Sequence, residues 1–263
     1  MGRKIISKIG ETKYNNFGSI MTIIKFNGQR DIEVYFPQYN YTINAVYSQF
    51  KDGTIKCPYE PRLFNVGYIG EGKYKDLCRK INGKHTKCYS TWHDVLRRCY
   101  DKKYQDKKPT YIGCTVCEEW HNFQNFAQWY EENYYEVNEE EMHLDKDILV
   151  KGNKFYSPST CIFVPKQINT LFVNCTRKRG DYPIGVSWIK RDKEFRVYCS
   201  IYDVISNKSN NIYLGHYQDV NEAFQCYKQF KEKYIKKIAD EYKDIIPIKL
   251  YEAMYKYKIE ITD

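Results

Sequence analysis

The first sixty-eight residues alternate apolar and polar positions with the two-residue period of half-buried strands, over 20–26, 31–36, 41–46 and 53–56. Turn signals at Asn27-Gly28 and Asp52-Gly53 separate them. Four or five short strands without a helix predict a small β-rich module, SH3-like in architecture. After a glycine-rich connection over 67–73 the period lengthens. Residues 90–100 place Trp92, Val95, Leu96 and Cys99 on one helical face, with Ser90 or Thr91 as N-cap, and a second helix runs through Phe123, Phe126, Trp129 and Tyr130. A strand over 143–149, a turn at Lys151-Gly152-Asn153, a strand over 160–164 and a helix opened by Pro165 then predict a ββα unit. Strands over 184–189, 194–201 and 211–217 follow a basic linker at 176–181. They lead into a helix over 221–242, capped by Asp219 or Asn221, that packs through Ala223, Phe224, Tyr227, Phe230, Lys231 and Ile235.

These elements give an α+β chain in three parts, 1–68, 69–175 and 176–245, with 246–263 as a docking helix or frayed tail. No apolar run approaches the ~18 residues of a membrane span, and the first residues lack a signal-peptide core, so an intracellular protein without a membrane partner is expected. The ten cysteines are then expected as thiols. Lys and Arg number 42 against 33 Asp and Glu, a net charge of +9 interleaved with 27 Tyr, 13 Phe and 4 Trp. Cations neutralise phosphate and rings stack on bases, so this balance favours a nucleic-acid partner. Cys114 and Cys117 form a Cys-x-x-Cys, but Cys88, Cys99, Cys161 and His121 do not complete a zinc spacing, and packed thiols are expected there rather than structural zinc.

The chemistry concentrates in the ββα unit. Asp145 lies on its first strand and Asn169 four residues into its helix, so a carboxylate and an amide oxygen on rigid elements can hold one hard divalent cation. His143, two residues before Asp145, projects from the same strand face, and Lys146 from the other. His143 reads either as a ligand or displaced base, or as a half-exposed strand histidine. Leu144-Asp145-Lys146-Asp147, Tyr156-Ser157-Pro158-Ser159-Thr160-Cys161 and helical Asn169 resemble the HNH endonuclease superfamily, and more closely its phage-encoded HNH-like members, over about 90–172. That resemblance implies Mg²⁺ or Mn²⁺ and duplex DNA. It puts Asp145 and Asn169 at the metal positions, Lys146 at the base position and Thr160 at the position that orients the base. Two positions depart from the enzyme pattern: an ammonium of reference pKa ~10.4 does not take a proton from water near neutrality, and a threonine does not replace an orienting amide. Lys146 stays open as a base, a phosphate clamp or the mark of a silent site.

Gly185-Val-Ser-Trp188, Phe195-Arg196, Tyr213-Leu-Gly-His-Tyr217 and Glu222-Ala223 with Tyr227 resemble an AP2-like DNA-binding domain, in which a three-stranded sheet backed by one helix enters the major groove. The resemblance implies outward contacts from Lys190, Arg191, Lys193, Arg196 and Tyr198, with Trp188 and Arg196 on bases or sugars and Lys190 and Arg191 on phosphate. The functional expectation is a metal-dependent, homing-type endonuclease. The alternative is a catalytically silent HNH-fold protein that acts as a phage regulator or as an inhibitor of a host nuclease or defence complex.

Overall fold

The computed structural model describes residues 7–78, 82–172, 181–203, 206 and 208–263. Most of the expected basic linker, 176–180, lies outside them. The chain is α+β and divides by its contacts into two compact units, Met1–Glu132 and Asn133–Asp263.

In the first unit, strands β1 (Thr12–Tyr14), β2 (Ile20–Gly28), β3 (Asp31–Phe36) and β4 (Tyr41–Ala45) form an antiparallel sheet in sequence order. Met21 and Ile23 on β2 and Ile32, Val34 and Phe36 on β3 turn to one side, as their period demands, and close on Phe50, Ile55 and Cys57. Two expectations are corrected here. Helix α1 (Tyr47–Asp52) follows β4 and is closed by Gly53 in the left-handed conformation, so 53–56 is not a strand. Among the described residues β4 pairs only with β3, and the sheet is an open meander rather than a closed barrel.

Helix α2 (Lys87–Tyr100) buries Cys88, Trp92, Val95, Leu96 and Cys99, the expected face with one more turn. Its cap is Thr86, whose hydroxyl accepts from the Tyr89 amide at 3.2 Å, rather than Ser90 or Thr91. Short α3 (Lys102–Lys107), the two-residue strand β5 (Thr115–Val116) and α4 (Phe123–Asn133) follow. Trp92 donates its indole N–H to the Trp120 carbonyl at 2.7 Å, which satisfies a fully buried donor and ties α2 to the turn before α4.

In the second unit, β6 (Met142–Asp145) pairs antiparallel with β8 (Ile162–Pro165), β7 (Phe155–Tyr156) lies between them in sequence, and α5 (Lys166–Leu171) packs on both β6 and β8. Strands β9 (Val186–Ile189), β10 (Glu194–Asp203) and β11 (Lys208–Tyr217) form an antiparallel sheet in the order β11-β10-β9. Helix α6 (Val220–Tyr242) covers one face, and its cap Asp219 accepts from the amides of Asn221 and Glu222 at 2.8 and 3.0 Å. One core runs through both parts: Ile162, Val164, Ile168 and Leu171 of the ββα segment join Val186, Val197 and Cys199 of the sheet and Phe224, Tyr227 and Ile235 of α6. The hydroxyl of Tyr242 donates to Gln167 at 2.6 Å and to Glu140, fastening the end of α6 to the start of α5. The last residues are a docked helix, α7 (Ile248–Lys256), with Leu250 and Met254 buried against the same core. Among the described residues, no helix is long and apolar enough to cross a membrane.

Candidate metal centre and nucleic-acid interface

Strand β6 is shorter than expected because Asp145 ends it. Its Oδ1 accepts the backbone N–H groups of Asp147 and Ile148, both at 2.7 Å, and turns the chain out of the strand. Oδ2 has no hydrogen bond among the described residues. Burial raises the Asp145 pKa above the ordinary carboxylate value, and the two amide bonds oppose that shift without cancelling it.

Register fixes which way the strand's polar groups point. Asp145 pairs with Ile162 and His143 with Val164, and directly paired residues share a face. Ile162 and Val164 belong to the core with Ile168 and Leu171 of α5, so His143 and Asp145 lie on the side of the hairpin that α5 covers. Half-buried Asn169 is carried by that helix. His143 Nε2 is buried without a hydrogen-bond partner among the described residues, and its nearest carboxylate oxygen, on Glu141, is 3.7 Å away. An imidazole nitrogen without a hydrogen bond and a carboxylate with one oxygen outside its amide bonds, on one strand face beneath a helix bearing an amide, fit a hard cation that retains several waters. Among the described residues no group of three or more His, Cys, Asp or Glu is gathered for a metal, so any such ion would draw on Asn169 and solvent as well.

Lys146 points the other way and is 7 % exposed. Its ammonium donates to both carboxylate oxygens of Asp147 at 2.7 Å and to the Asn153 carbonyl at 2.6 Å, with the Tyr156 ring 5.7 Å away. Three oxygen acceptors occupy its three donors, so the side chain braces the 146–153 loop. Lys146→Met should therefore lower stability by about 1–2 kcal/mol, read as a fall in the urea midpoint, because the part-buried Asn153 carbonyl loses its donor while half-exposed Asp147 regains water. Thr160 precedes β8 instead of opening it. Its hydroxyl donates to the Phe155 carbonyl at 2.7 Å and meets Ser157 at 2.9 Å, which closes the turn that delivers buried Cys161 to the strand.

The C-terminal segment, to which the sequence pattern attached no role, also reaches this region. Lys151 in the hairpin loop donates to the Lys258 carbonyl at 2.9 Å and pairs with Asp263 at 2.7 Å, while its ammonium lies 5.1 Å from the Tyr257 ring centre. Phe172, at the end of α5, packs edge-on against the same ring at 4.7 Å. Burial first, and then the carboxylates of Asp263, Asp147 and Asp145, push the Tyr257 phenol up to about 12. A neutral phenol is thus held within electrostatic reach of Asp145. Residues 251–257 mix three tyrosines, Ala253 and Met254 with charged residues, a signal that does not separate a packed strap from a solvated tail.

On the second sheet, Val186, Val197 and Cys199 face α6. Phe195 pairs with Trp188 in register, their rings 4.8 Å apart, and Phe195 packs on the same core. Trp188 therefore lies on the helix side, which corrects the expectation that it reads bases. Arg196 and Tyr198 alternate to the outer face, as expected, opposite His216 and Tyr213 of β11. Tyr198 and Tyr213 stand 5.4 Å apart, and Tyr213 and His216 5.3 Å. Arg196 Nε is buried with no partner among the described residues, and its Nη2 is 4.0 Å from Asp192. Lys190, Arg191 and Lys193 sit in the β9–β10 turn rather than along a strand, Lys193 with a positive φ of 52°. The Arg191 guanidinium pairs with Asp192 at 2.7 Å and holds that carboxyl below its usual range. Tyr213 and His216 were not among the expected contacts. Their side of the sheet depends on a bulge between Val197 and Tyr198, which leaves Leu214 unpaired and shifts the register of β11.

The nine cysteines of the described residues are in no disulfide, with Cys114 buried and Cys117 half-buried. Comparison of the chain with protein-family models, with curated proteins and with solved structures finds no match.

Proposed function

We propose that this protein binds duplex DNA through the outer face of the β9–β11 sheet and cuts or nicks it in a reaction that depends on Mg²⁺ or Mn²⁺. The observation that carries the reading is that His143, whose buried Nε2 makes no hydrogen bond among the described residues, and Asp145, which spends Oδ1 on two backbone amides, lie on one face of β6. Asp145 and Asn169, with His143, would hold the cation, which supplies charge stabilisation at a scissile phosphate. The chain's own contributions are separable. Asp145 Oδ1 keeps the carboxylate fixed by its two amide bonds. His143 Nε2, which makes no hydrogen bond among the described residues, is the nitrogen that would accept a proton from water. Lys146 braces the loop through Asp147 and Asn153. The β9–β10 turn with Lys190, Arg191 and Lys193 offers cations for phosphate, and the outer face carrying Arg196, Tyr198, Tyr213 and His216 offers side chains for base contact.

The lysine at the base position favours a second reading, a DNA- or protein-binding module without catalysis, because its ammonium is fully engaged by Asp147 and Asn153. Plasmid cleavage by the purified protein in Mg²⁺ and Mn²⁺, with binding to the same DNA followed in parallel, separates the two. Cutting supports the nuclease, and binding without cutting on several substrates selects the module. For the sheet, Arg196→Ala should cost about 1–3 kcal/mol at a preferred site and much less on unrelated DNA. Equal losses on every sequence would contradict base readout by Arg196.

A further inference from the structure

The first unit contains a cavity of about 450 Å³, within the ~300–1,000 Å³ range of small-molecule sites. Its aromatic walls are Tyr41 of β4, Tyr68 of the glycine-rich connection and Tyr89 of α2. The walls are preformed. Tyr59 touches both Tyr41 and Tyr68, with ring centres at 5.4 and 6.1 Å, and the Tyr41 hydroxyl donates to Glu71 at 2.5 Å.

The floor is equally fixed. Tyr68 exchanges backbone bonds with His121 and Phe123 at 2.9 Å, the Gly70 amide donates to the Pro58 carbonyl at 3.0 Å, and the Gln124 side chain donates to the Ile69 carbonyl at 3.1 Å. Gly70 has a φ of +68°, and a Cβ there would lie 2.3 Å from Asn122 Oδ1, so this glycine permits the close approach that sews the strip down.

Charge selects the ligand. Glu60 lines the cavity but is spent inward on Asn15, Ser19 and Arg62, and Arg62 in turn on Glu60 and the Cys57 carbonyl. Glu71 is engaged by Tyr41. Lys56 and Lys75 also line the cavity and, among the described residues, neither meets a carboxylate. Tyrosine faces that stack a planar ring, beside two uncompensated ammonium groups, suit an anionic aromatic ligand and disfavour a cationic one.

We infer that this cavity binds one nucleotide, its base against the tyrosine walls and its phosphate at Lys56 and Lys75. The same chemistry is presented by a free mononucleotide and by an unpaired nucleotide within a strand. The inference stands on residues of the first unit alone and does not depend on the reading of β6 and α5.

Calorimetric titration of the full chain tests it, with a deoxynucleoside 5′-monophosphate, the matching nucleoside, inorganic phosphate, a short single strand and a blunt duplex as probes. The monophosphate should bind at least about 10-fold tighter than the nucleoside or phosphate alone, since each lacks one half of the recognition. The double reversal Lys56→Glu/Lys75→Glu, at exposed positions, should weaken it by a similar factor, and Tyr89→Leu by about 5- to 100-fold, with a thermal melt to confirm that each variant folds. A single strand that binds tighter than both the monophosphate and the duplex, and loses that advantage in the same variants, identifies a strand as the source. A strand no tighter than the monophosphate identifies the free nucleotide. The proposal is overturned if neither monophosphate nor single strand binds, or if both bind the folded variants as well as the wild type.

Discussion

Replacing Asp145 with asparagine is expected to remove metal-dependent cleavage, by about 10²- to 10³-fold or more, while leaving the fold and DNA binding in place. Asparagine is the informative substitution because of the two jobs the carboxylate does. Its Oδ1 accepts the amides of Asp147 and Ile148 at 2.7 Å, and the amide oxygen of asparagine can accept both. Its charge, by contrast, is what a hard cation needs, and asparagine has none. Asp145→Ala removes both jobs at once and strands two N–H groups at about 1–3 kcal/mol each, so lost cutting would be confounded with a loosened hairpin. The assay is supercoiled-plasmid nicking in Mg²⁺ and Mn²⁺ beside a gel-shift on the same DNA. Wild-type cutting by the variant would remove Asp145 from the metal site.

The same variant should be at least as stable as the wild type at neutral pH. Burial raises the Asp145 pKa, so the folded state holds this proton more tightly than the unfolded chain does. From the unfolded value near ~3.9 up to the raised folded value, stability falls as pH climbs, and above that window the cost persists. Asparagine does not ionise and escapes it. The thermal midpoint of Asp145→Asn should equal or exceed that of the wild type at pH 7, and the gap should close as the pH is lowered through the window. A variant less stable at pH 7 would mean that ionised Asp145 supports the hairpin.

How much of this was legible in the sequence depends on the range of the interaction. Period-2 and period-3.6 patterns reflect local geometry, and they located β2, β3, β4, α2, α4 and α6 to within a few residues. They also placed His143 and Asp145 together, because two residues on one strand share a face whatever lies beyond it. Boundaries set by a side chain returning to the backbone were missed: Asp145 ends β6 early, and Thr160 closes a turn before β8. Trp188 was turned the wrong way for a related reason. In a four-residue strand its pairing with Phe195, and buried Val186 on the same face, show which side is the core. Tyr257 and Lys151 are 106 positions apart in the chain and meet only after α6 and α7 fold back. No periodicity along the chain encodes that contact. The cavity of the first unit likewise needs Tyr41, Tyr68 and Tyr89 from three separate segments.

Gly185→Ala is expected to destabilise the second unit by about 2–5 kcal/mol, a large share of the ~5–15 kcal/mol that holds a domain together. Two independent costs add. The residue has a φ of +79°, where an L side chain costs about 1–2 kcal/mol. A Cβ there would also lie 2.1 Å from Cδ2 and 2.4 Å from Cε2 of Tyr227, a buried ring of α6, and relieving such overlap in a packed core costs about 1–3 kcal/mol. The position matters beyond stability, because the Gly185 carbonyl accepts from the Tyr198 amide at 2.9 Å and so links the start of β9 to the outer-face strand β10. Urea unfolding of the variant should show a lower midpoint at unchanged slope. The two costs separate in a double-mutant cycle with Tyr227→Leu, which removes the ring but keeps an aliphatic side chain. In that background Gly185→Ala should cost only the conformational part, about 1–2 kcal/mol. If it costs as much as in the wild type, the glycine is required for its backbone angle alone, and the close packing of α6 beneath β9 does not depend on it.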